Sequence, residues 1–427
     1  MLLRKNIFFN YLGTGILVLA PVVALPWYLS ALGPKLYGLV SFAVMLQALM
    51  GLLDTGMSQA LVREIAVRFD KTTAGRDSAA SLLLGCERAY WLFALCVGCV
   101  TALLAHTIAV HWLKLDGLPV AIGQEAVYGA AAIFAAQFPG SIYRSLLVGV
   151  QAQIVLNGIM SLAVLLRHAG GVVVVMIWPT LTVYLVWHAS VTLIETLIRR
   201  QFAWRVLQVK RSQIKGAMAE LRSVGIYAFS MAGAALLGAL TVQMDRIVLS
   251  KMASIAQFGY YSIAASVALG ALQIIYPLTQ AIMPRAIQLR TDPVVLRRLN
   301  VKLMGLIGLI VNLGAIIFIT SGKLILQLWL RNASIVGEVY PILSILLLGT
   351  VLNAFYNVGY MYWLVYQKSH RILQVNALAL VISIVLIPLL VSRFGSIGAA
   401  TGWLAINLIG FLFSLEWIKR VSNGRAD

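Results

Sequence analysis

The sequence predicts an all-α integral membrane protein with about twelve transmembrane helices in two six-helix lobes. Three observations predict it. Of the 427 residues, 61% are hydrophobic and only 11% are charged, and mean hydropathy is +0.91. A water-soluble chain with so much apolar surface aggregates, so lipid is the solvent. The apolar runs are long and continuous, not short and alternating, which selects helices over a closed barrel as the way to satisfy every backbone group inside the bilayer. Finally, the basic residues collect on alternate connections between those runs, as cytoplasmic loops do.

Taken in order, the spans are 7–31, 36–58, 80–105, 122–147, 157–178, 180–199, 224–249, 257–283, 300–320, 338–366, 373–391 and 397–417. The first follows Met-Leu-Leu-Arg-Lys-Asn and resembles a signal sequence. It is long enough to span and has no small-residue cleavage site, so it is expected to be a retained helix. The second carries Asp54. The third holds Cys86, Cys96 and Cys99, which read as packing residues without metal-site spacing, together with Glu87 and Arg88. Pro21, Pro26, Pro139, Pro277 and Pro388 lie inside spans, where each removes a backbone donor and bends its helix.

An even number of spans puts both termini on one side. That side collects 24 of the 33 Lys and Arg residues and the other collects 7, so both termini are expected to be cytoplasmic. Arg88 and Arg167 are counted inside spans. The largest basic loop, Arg199 to Arg222, divides the chain into 1–210 and 211–427. Internal similarity supports a duplication. Tyr37-Gly38-Leu39-Val40-Ser41 is echoed by Phe258-Gly259-Tyr260-Tyr261-Ser262, 221 residues later. Gly140, Tyr143 and Asn157 return as Gly359, Tyr362 and Asn376, each 219 residues on. Two parallel six-helix repeats describe a transporter plan with its substrate site between the halves.

The polar residues inside spans are the candidates for function. Arg167 sits near the midpoint of the fifth span, where a charge costs roughly 2.5–3.5 kcal/mol on insertion scales. Either it faces protein or a watery cavity, as a fixed cation awaiting an anion, or Arg167-His168-Ala169-Gly170-Gly171 forms a periplasmic turn. Arg88 and Glu87 either reach the cytoplasmic surface and neighbouring helices or enter a cavity. Asp54 pairs with an arginine or carries a proton. Asp245 and Arg246 make an interfacial ion pair or a periplasmic gate. In the tenth span Asn353, Tyr356, Asn357, Tyr360, Trp363 and Gln367 recur every three or four residues and so share one face. That face suits sugar rings and hydroxyls, or else it is an interfacial aromatic belt. At the 219-residue offset, Gln137, Ser141 and Arg144 in the fourth span replace Tyr356, Tyr360 and Trp363, which predicts a second polar face. No phosphate-binding loop with an invariant lysine is present, no His/Cys/carboxylate group has metal-ligand spacing, and no cofactor is expected. Nothing suggests a nucleic-acid partner. The five histidines are scattered.

Taken together, Leu32-Gly33-Pro34-Lys35-Leu36-Tyr37-Gly38, Leu53-Asp54-Thr55-Gly56, Arg63-Glu64-Ile65-Ala66, Gln243-Met244-Asp245-Arg246 and the stretch from Asn157 to Arg200 resemble the polysaccharide-exporter branch of the multidrug/oligosaccharidyl-lipid/polysaccharide exporter superfamily, which includes the O-antigen flippases. The resemblance implies two six-helix lobes around a central cavity. It implies flipping of an undecaprenyl-pyrophosphate-linked oligosaccharide across the bacterial inner membrane, with a proton or sodium gradient as the energy source. The implied partners are that lipid-linked oligosaccharide, the bilayer, and a polysaccharide polymerase and chain-length regulator. A cationic cavity would draw on Arg167, Arg88 and Arg144, whereas the drug-exporter branch places carboxylates in its helices. The first, fifth and eighth spans here have none. A cation-coupled multidrug exporter and a membrane-embedded glycan-modifying enzyme are the alternatives. The second would need an interfacial catalytic cluster, and the sequence offers none.

Overall fold

The computed structural model describes residues 2–54, 56–69, 72–209 and 217–418, with side chains from residue 15 onward except 217–232, 234 and 235. The chain divides into two compact units, Met1–Leu236 and Leu237–Asp427.

In the first unit α1 (Leu2–Gly51) is broken at Gly33, whose φ of +74° is left-handed. Only glycine takes that conformation without strain, and Pro34 then restarts the helix. A short 3₁₀ turn (Leu52–Asp54) leads to α2 (Met57–Arg68). Next come α3 (Thr73–Leu103), α4 (Ala105–His111), α5 (Val120–Gln137), α6 (Gly140–Gly149), α7 (Gln153–Leu165), a π-helical turn (Leu166–Gly170), α8 (Gly171–Ile177) and α9 (Leu181–Leu207). Thr72 and Thr180 cap α3 and α9, accepting from the N–H groups of Gly75 and Val183 at 3.1 and 3.3 Å. Helix α10 (Ala217–Met252) crosses the division. The second unit continues with α11 (Ile255–Gln288), α12 (Pro293–Leu330), α13 (Ala333–Val365) and α14 (Ser369–Ser414), the last broken at Gly395, whose φ is +55°.

The expected spans are recovered. The broken helices α1 and α14 each supply two, α5 with α6 and α7 with α8 each supply one, and α3, α9, α10, α11, α12 and α13 supply the rest. Among the described residues, eight stretches are long and apolar enough to cross a bilayer. Gly15–Asp54 and Ser369–Ile418, at 40 and 50 residues, are each about twice the length that one crossing needs. The helix ends differ from the expectation. Helix α12 overshoots 300–320 at both ends because its own signals lie further out: Asp292 caps it ahead of Pro293, and Arg331 closes it in a left-handed conformation. Helix α2 falls in an expected loop. It buries Ala60, Leu61 and Ile65 completely but is too polar and short for a hydropathy criterion.

Close helix approach depends on glycine at specific positions. A Cβ on Gly171 would lie 2.4 Å from the Tyr28 hydroxyl, and one on Gly359 would lie 2.3 Å from the Ser414 carbonyl oxygen. Gly171→Val is therefore expected to destabilise the first unit by about 1–3 kcal/mol through overpacking. The melting temperature of the detergent-solubilised chain measures this. Gly158→Ala, whose added methyl meets nothing within 4 Å, should not lower the melt, since alanine also favours the helix.

Candidate functional site

The run Leu166–Gly170 resolves the odd placement of an arginine in an apolar stretch. It forms a π turn inside one helical run, Gln153–Ile177, and not a turn between helices. A π turn opens the backbone ladder and leaves carbonyl oxygens to be satisfied by other donors. Two side chains take them. Tyr28 donates its hydroxyl to the His168 carbonyl at 3.0 Å, and Trp187 donates its indole N–H to the carbonyls of Leu166 and Arg167, each at 3.2 Å. The glycines make room for those rings: a Cβ on Gly170 would sit 2.5 Å from the Trp187 ring.

The guanidinium of Arg167 reaches α9, where its Nη2 lies 2.5 Å from Glu195 Oε2. Arg199, one turn on along α9, donates to the other oxygen, Oε1. One carboxylate therefore bridges two arginines, and all three groups lie mostly inside the protein: Glu195 is 6% and Arg199 9% exposed. The Nε atoms of both arginines are buried without a hydrogen-bond partner. Tyr28, Tyr184, His168 and His188 form an aromatic wall beside the cluster, with Tyr184 stacked on His188 at 4.0 Å between ring centroids. Gly140 at the start of α6 admits Arg199, whose Nη1 would be 3.4 Å from a Cβ there.

Charge continues from this cluster along α6 to the 3₁₀ turn that follows α1. Gln137 ends α5, while Ser141 and Arg144 lie on α6; Gln137 and Arg144 are exposed and Ser141 is half-buried. Arg144 bears electrostatically on both Arg199 and Asp54 and makes no side-chain hydrogen bond or ion pair among the described residues. Asp54 accepts from the hydroxyls of Ser58 and Tyr90. The order along this track is Asp54, Arg144, Arg199, Glu195, Arg167, with three guanidinium groups to two carboxylates.

The other candidates lie elsewhere. Glu87 is 6% exposed and accepts from Arg200 Nε at 2.9 Å and from the Trp204 indole at 2.8 Å. Arg88 points away from that pair, exposed on the same stripe of α3 as Leu92, Leu95 and Cys99. In the second unit, Asp245 accepts from the Tyr261 hydroxyl and the Arg246 N–H. Asp245 and Arg246 line a small cavity with Val242, Leu346 and Trp403. The stripe on α13 is real but largely self-contained. Asn353 donates to Asn407 of α14 at 2.7 Å, and Asn357 donates to the Asn353 carbonyl at 2.7 Å. Tyr356 and Tyr360 are half-buried, with ring centroids 5.9 Å apart. Trp363 is 1% exposed and donates to Glu416 at 3.2 Å, so it is a packed core residue. Glu195, the centre of the ionic cluster, was not singled out by the sequence. Its position 28 residues after Arg167, on the next span, was the available signal.

Residues 3–290, more than half of the chain, match the family described as polysaccharide biosynthesis protein. The chain belongs to that family. A curated relative from Shigella flexneri named "Putative O-antigen transporter" is 22% identical over 418 residues, covering 98% of each chain. Among solved structures, the lipid II flippase MurJ in an inward closed conformation superposes with a TM-score of 0.74 at 11% identity, covering 97% of this chain and 87% of that one. An inward-facing multidrug resistance MATE family transporter of the MOP superfamily gives 0.70 at 16% identity, covering 96% of both. This member of the polysaccharide biosynthesis protein family thus shares its fold with those transporters.

Within the cluster, Arg199→Ala leaves Glu195 paired with Arg167 alone and is expected to cost about 1–3 kcal/mol, for the lost charged hydrogen bond at a buried oxygen. Arg144→Ala, at an exposed position with no ion pair, should cost no more than about 0.5 kcal/mol. Thermal melts of the two purified variants separate a structural cation from an available one.

Proposed function

We propose that this protein is a flippase that moves an undecaprenyl-pyrophosphate-linked oligosaccharide, an O-antigen or similar surface-polysaccharide unit, across the inner membrane by alternating access. The observation that carries the reading is the cationic surplus along the Asp54–Arg167 track. A headgroup bearing a pyrophosphate needs fixed cations inside the spans, and guanidinium groups suit phosphate because they bind its oxygens through two parallel N–H donors. Arg144 is available for this, and Arg167 and Arg199 lie behind it. Family membership and the Shigella flexneri relative named as an O-antigen transporter support the same substrate class.

The carboxylates argue against a cationic drug as cargo. Asp54, Glu87, Glu195 and Asp245 each already accept hydrogen bonds from protein donors. In this proposal Tyr356 and Tyr360 offer the glycan an aromatic surface, while Asn353 holds α13 to α14 and Asn357 braces Asn353 from the same helix. A proton or sodium gradient drives transport, and the polymerase and chain-length regulator consume the product. The 24-to-7 charge bias supports a cytoplasmic position for both termini.

The test uses a deletion strain complemented with wild-type or variant protein. The strain without the protein should accumulate complete lipid-linked oligosaccharide on the cytoplasmic leaflet and lose surface glycan. Arg144→Ala should cut surface glycan about tenfold, the equivalent of one charge-assisted contact of ~1.4 kcal/mol, at unchanged protein level. Unchanged surface glycan without accumulation in the deletion strain would redirect the assignment to small-molecule export. A truncated oligosaccharide would indicate an enzyme.

A further inference from the structure

We propose that Glu195 is a built-in stand-in for the substrate's phosphate: Arg167 and Arg199 hold it in the resting protein and exchange it for a phosphate oxygen when the headgroup arrives. The inference rests on the flippase reading and names the atoms that would perform it.

The geometry has the character of an exchange site. Glu195 gives one oxygen to each arginine, so its two contacts reproduce the spread of two oxygens on one phosphate. Each arginine spends one Nη2 on it and keeps a buried Nε without a hydrogen-bond partner. Held this way, the carboxylate meets one Nη2 of each arginine and leaves both Nε positions open. A pyrophosphate carries more acceptor oxygens and can reach them. A buried N–H left unmade is costly, and contacts from a charged acceptor are the strongest remedy. Displacement is local. Arg167 comes from the π turn, a non-standard helical turn of the kind associated with functional sites, and its side chain is about a fifth exposed. Arg144 is exposed on α6 and bears on Arg199; in this proposal it receives the anion first. Glu87 serves as the comparison, a buried carboxylate that accepts from Arg200 and the Trp204 indole.

The experiment uses the full-length wild-type protein in detergent, with inorganic pyrophosphate as probe. Carboxyl groups are labelled with dicyclohexylcarbodiimide and read by mass spectrometry. Pyrophosphate should raise labelling of Glu195 several-fold and leave Glu87 unchanged. Equilibrium dialysis of labelled pyrophosphate then compares variants. Glu195→Gln removes the internal competitor and should bind about tenfold tighter, while Glu195→Gln combined with Arg167→Gln should lose that gain. Pyrophosphate that binds without changing Glu195 labelling overturns the exchange and makes Glu195 a static counter-ion. The labelling arm needs no variant, so a poorly folding Glu195→Gln protein does not block the test. The two readings also fail separately. Exchange at Glu195 without lipid-linked oligosaccharide accumulation in the deletion strain keeps the anion site and discards the flippase. Accumulation without exchange keeps the flippase and discards this site.

Discussion

Glu195 sits between two guanidinium groups at a depth where water is scarce, and much of the first unit is arranged around that fact. Two arginines brought into a low-dielectric interior would each carry a solvation penalty of several kcal/mol. One shared carboxylate offsets both and leaves a single residual charge. Helix α9 can play this part because it packs against α1, α5, α6, α7 and α8. The π turn follows from the same demand. It puts Arg167 opposite Glu195, and the backbone oxygens it releases are recovered by Tyr28 and Trp187, which come from helices that already border the cluster.

The second unit meets the same low-dielectric environment by a different route. Its described polar contacts inside the helices are mostly neutral or short-range: an asparagine network across α13 and α14, a tyrosine on Asp245, and hydroxyls returned to carbonyls one turn back. The 219-residue correspondence makes the contrast specific. Gln137 and Arg144 in the first unit are exposed, whereas their counterparts Tyr356 and Trp363 are half-buried and fully packed. The same helical register thus serves as an open polar face in one unit and as a packing surface in the other. Among the described residues, the carboxylate shared by two arginines lies in the first unit.

The fold was legible because lipid imposes one strong rule. A run of about twenty apolar residues has few alternatives to a spanning helix. What hydropathy could not register was the amphipathic α2, or the reach of α12 beyond its apolar centre, because both depend on capping and one-sided burial. Arg167 was visible as a misfit in an apolar run, and Asp54 and Asp245 were visible as carboxylates inside spans, whereas Arg199 read as the start of the basic loop. Glu195 was hidden by its position. It stands four residues before Arg199, near the basic end of its span, where a charge looks ordinary. Only the pairing of α7 with α9 reveals that it lies level with Arg167. Periodicity alone also could not separate a ligand-facing stripe from a packed one, since Asn353, Tyr356 and Trp363 have the same spacing in either role.

The π turn carries one further implication. A π turn amounts to one extra residue in an otherwise regular helix, and one residue of an α-helix corresponds to about 100° of rotation. The insertion therefore indexes α8 against α7: it decides which side of Val172–Ile177 meets α1 and α9. Shortening Leu166–Gly170 by a single residue would restore an unbroken hydrogen-bond ladder and leave Tyr28 and Trp187 without their carbonyls. It would also swing the last two turns of the span out of phase. The local helix would be more regular and the unit less well fitted, which is a reason for lineages carrying this cluster to conserve the length of the segment more strictly than its composition.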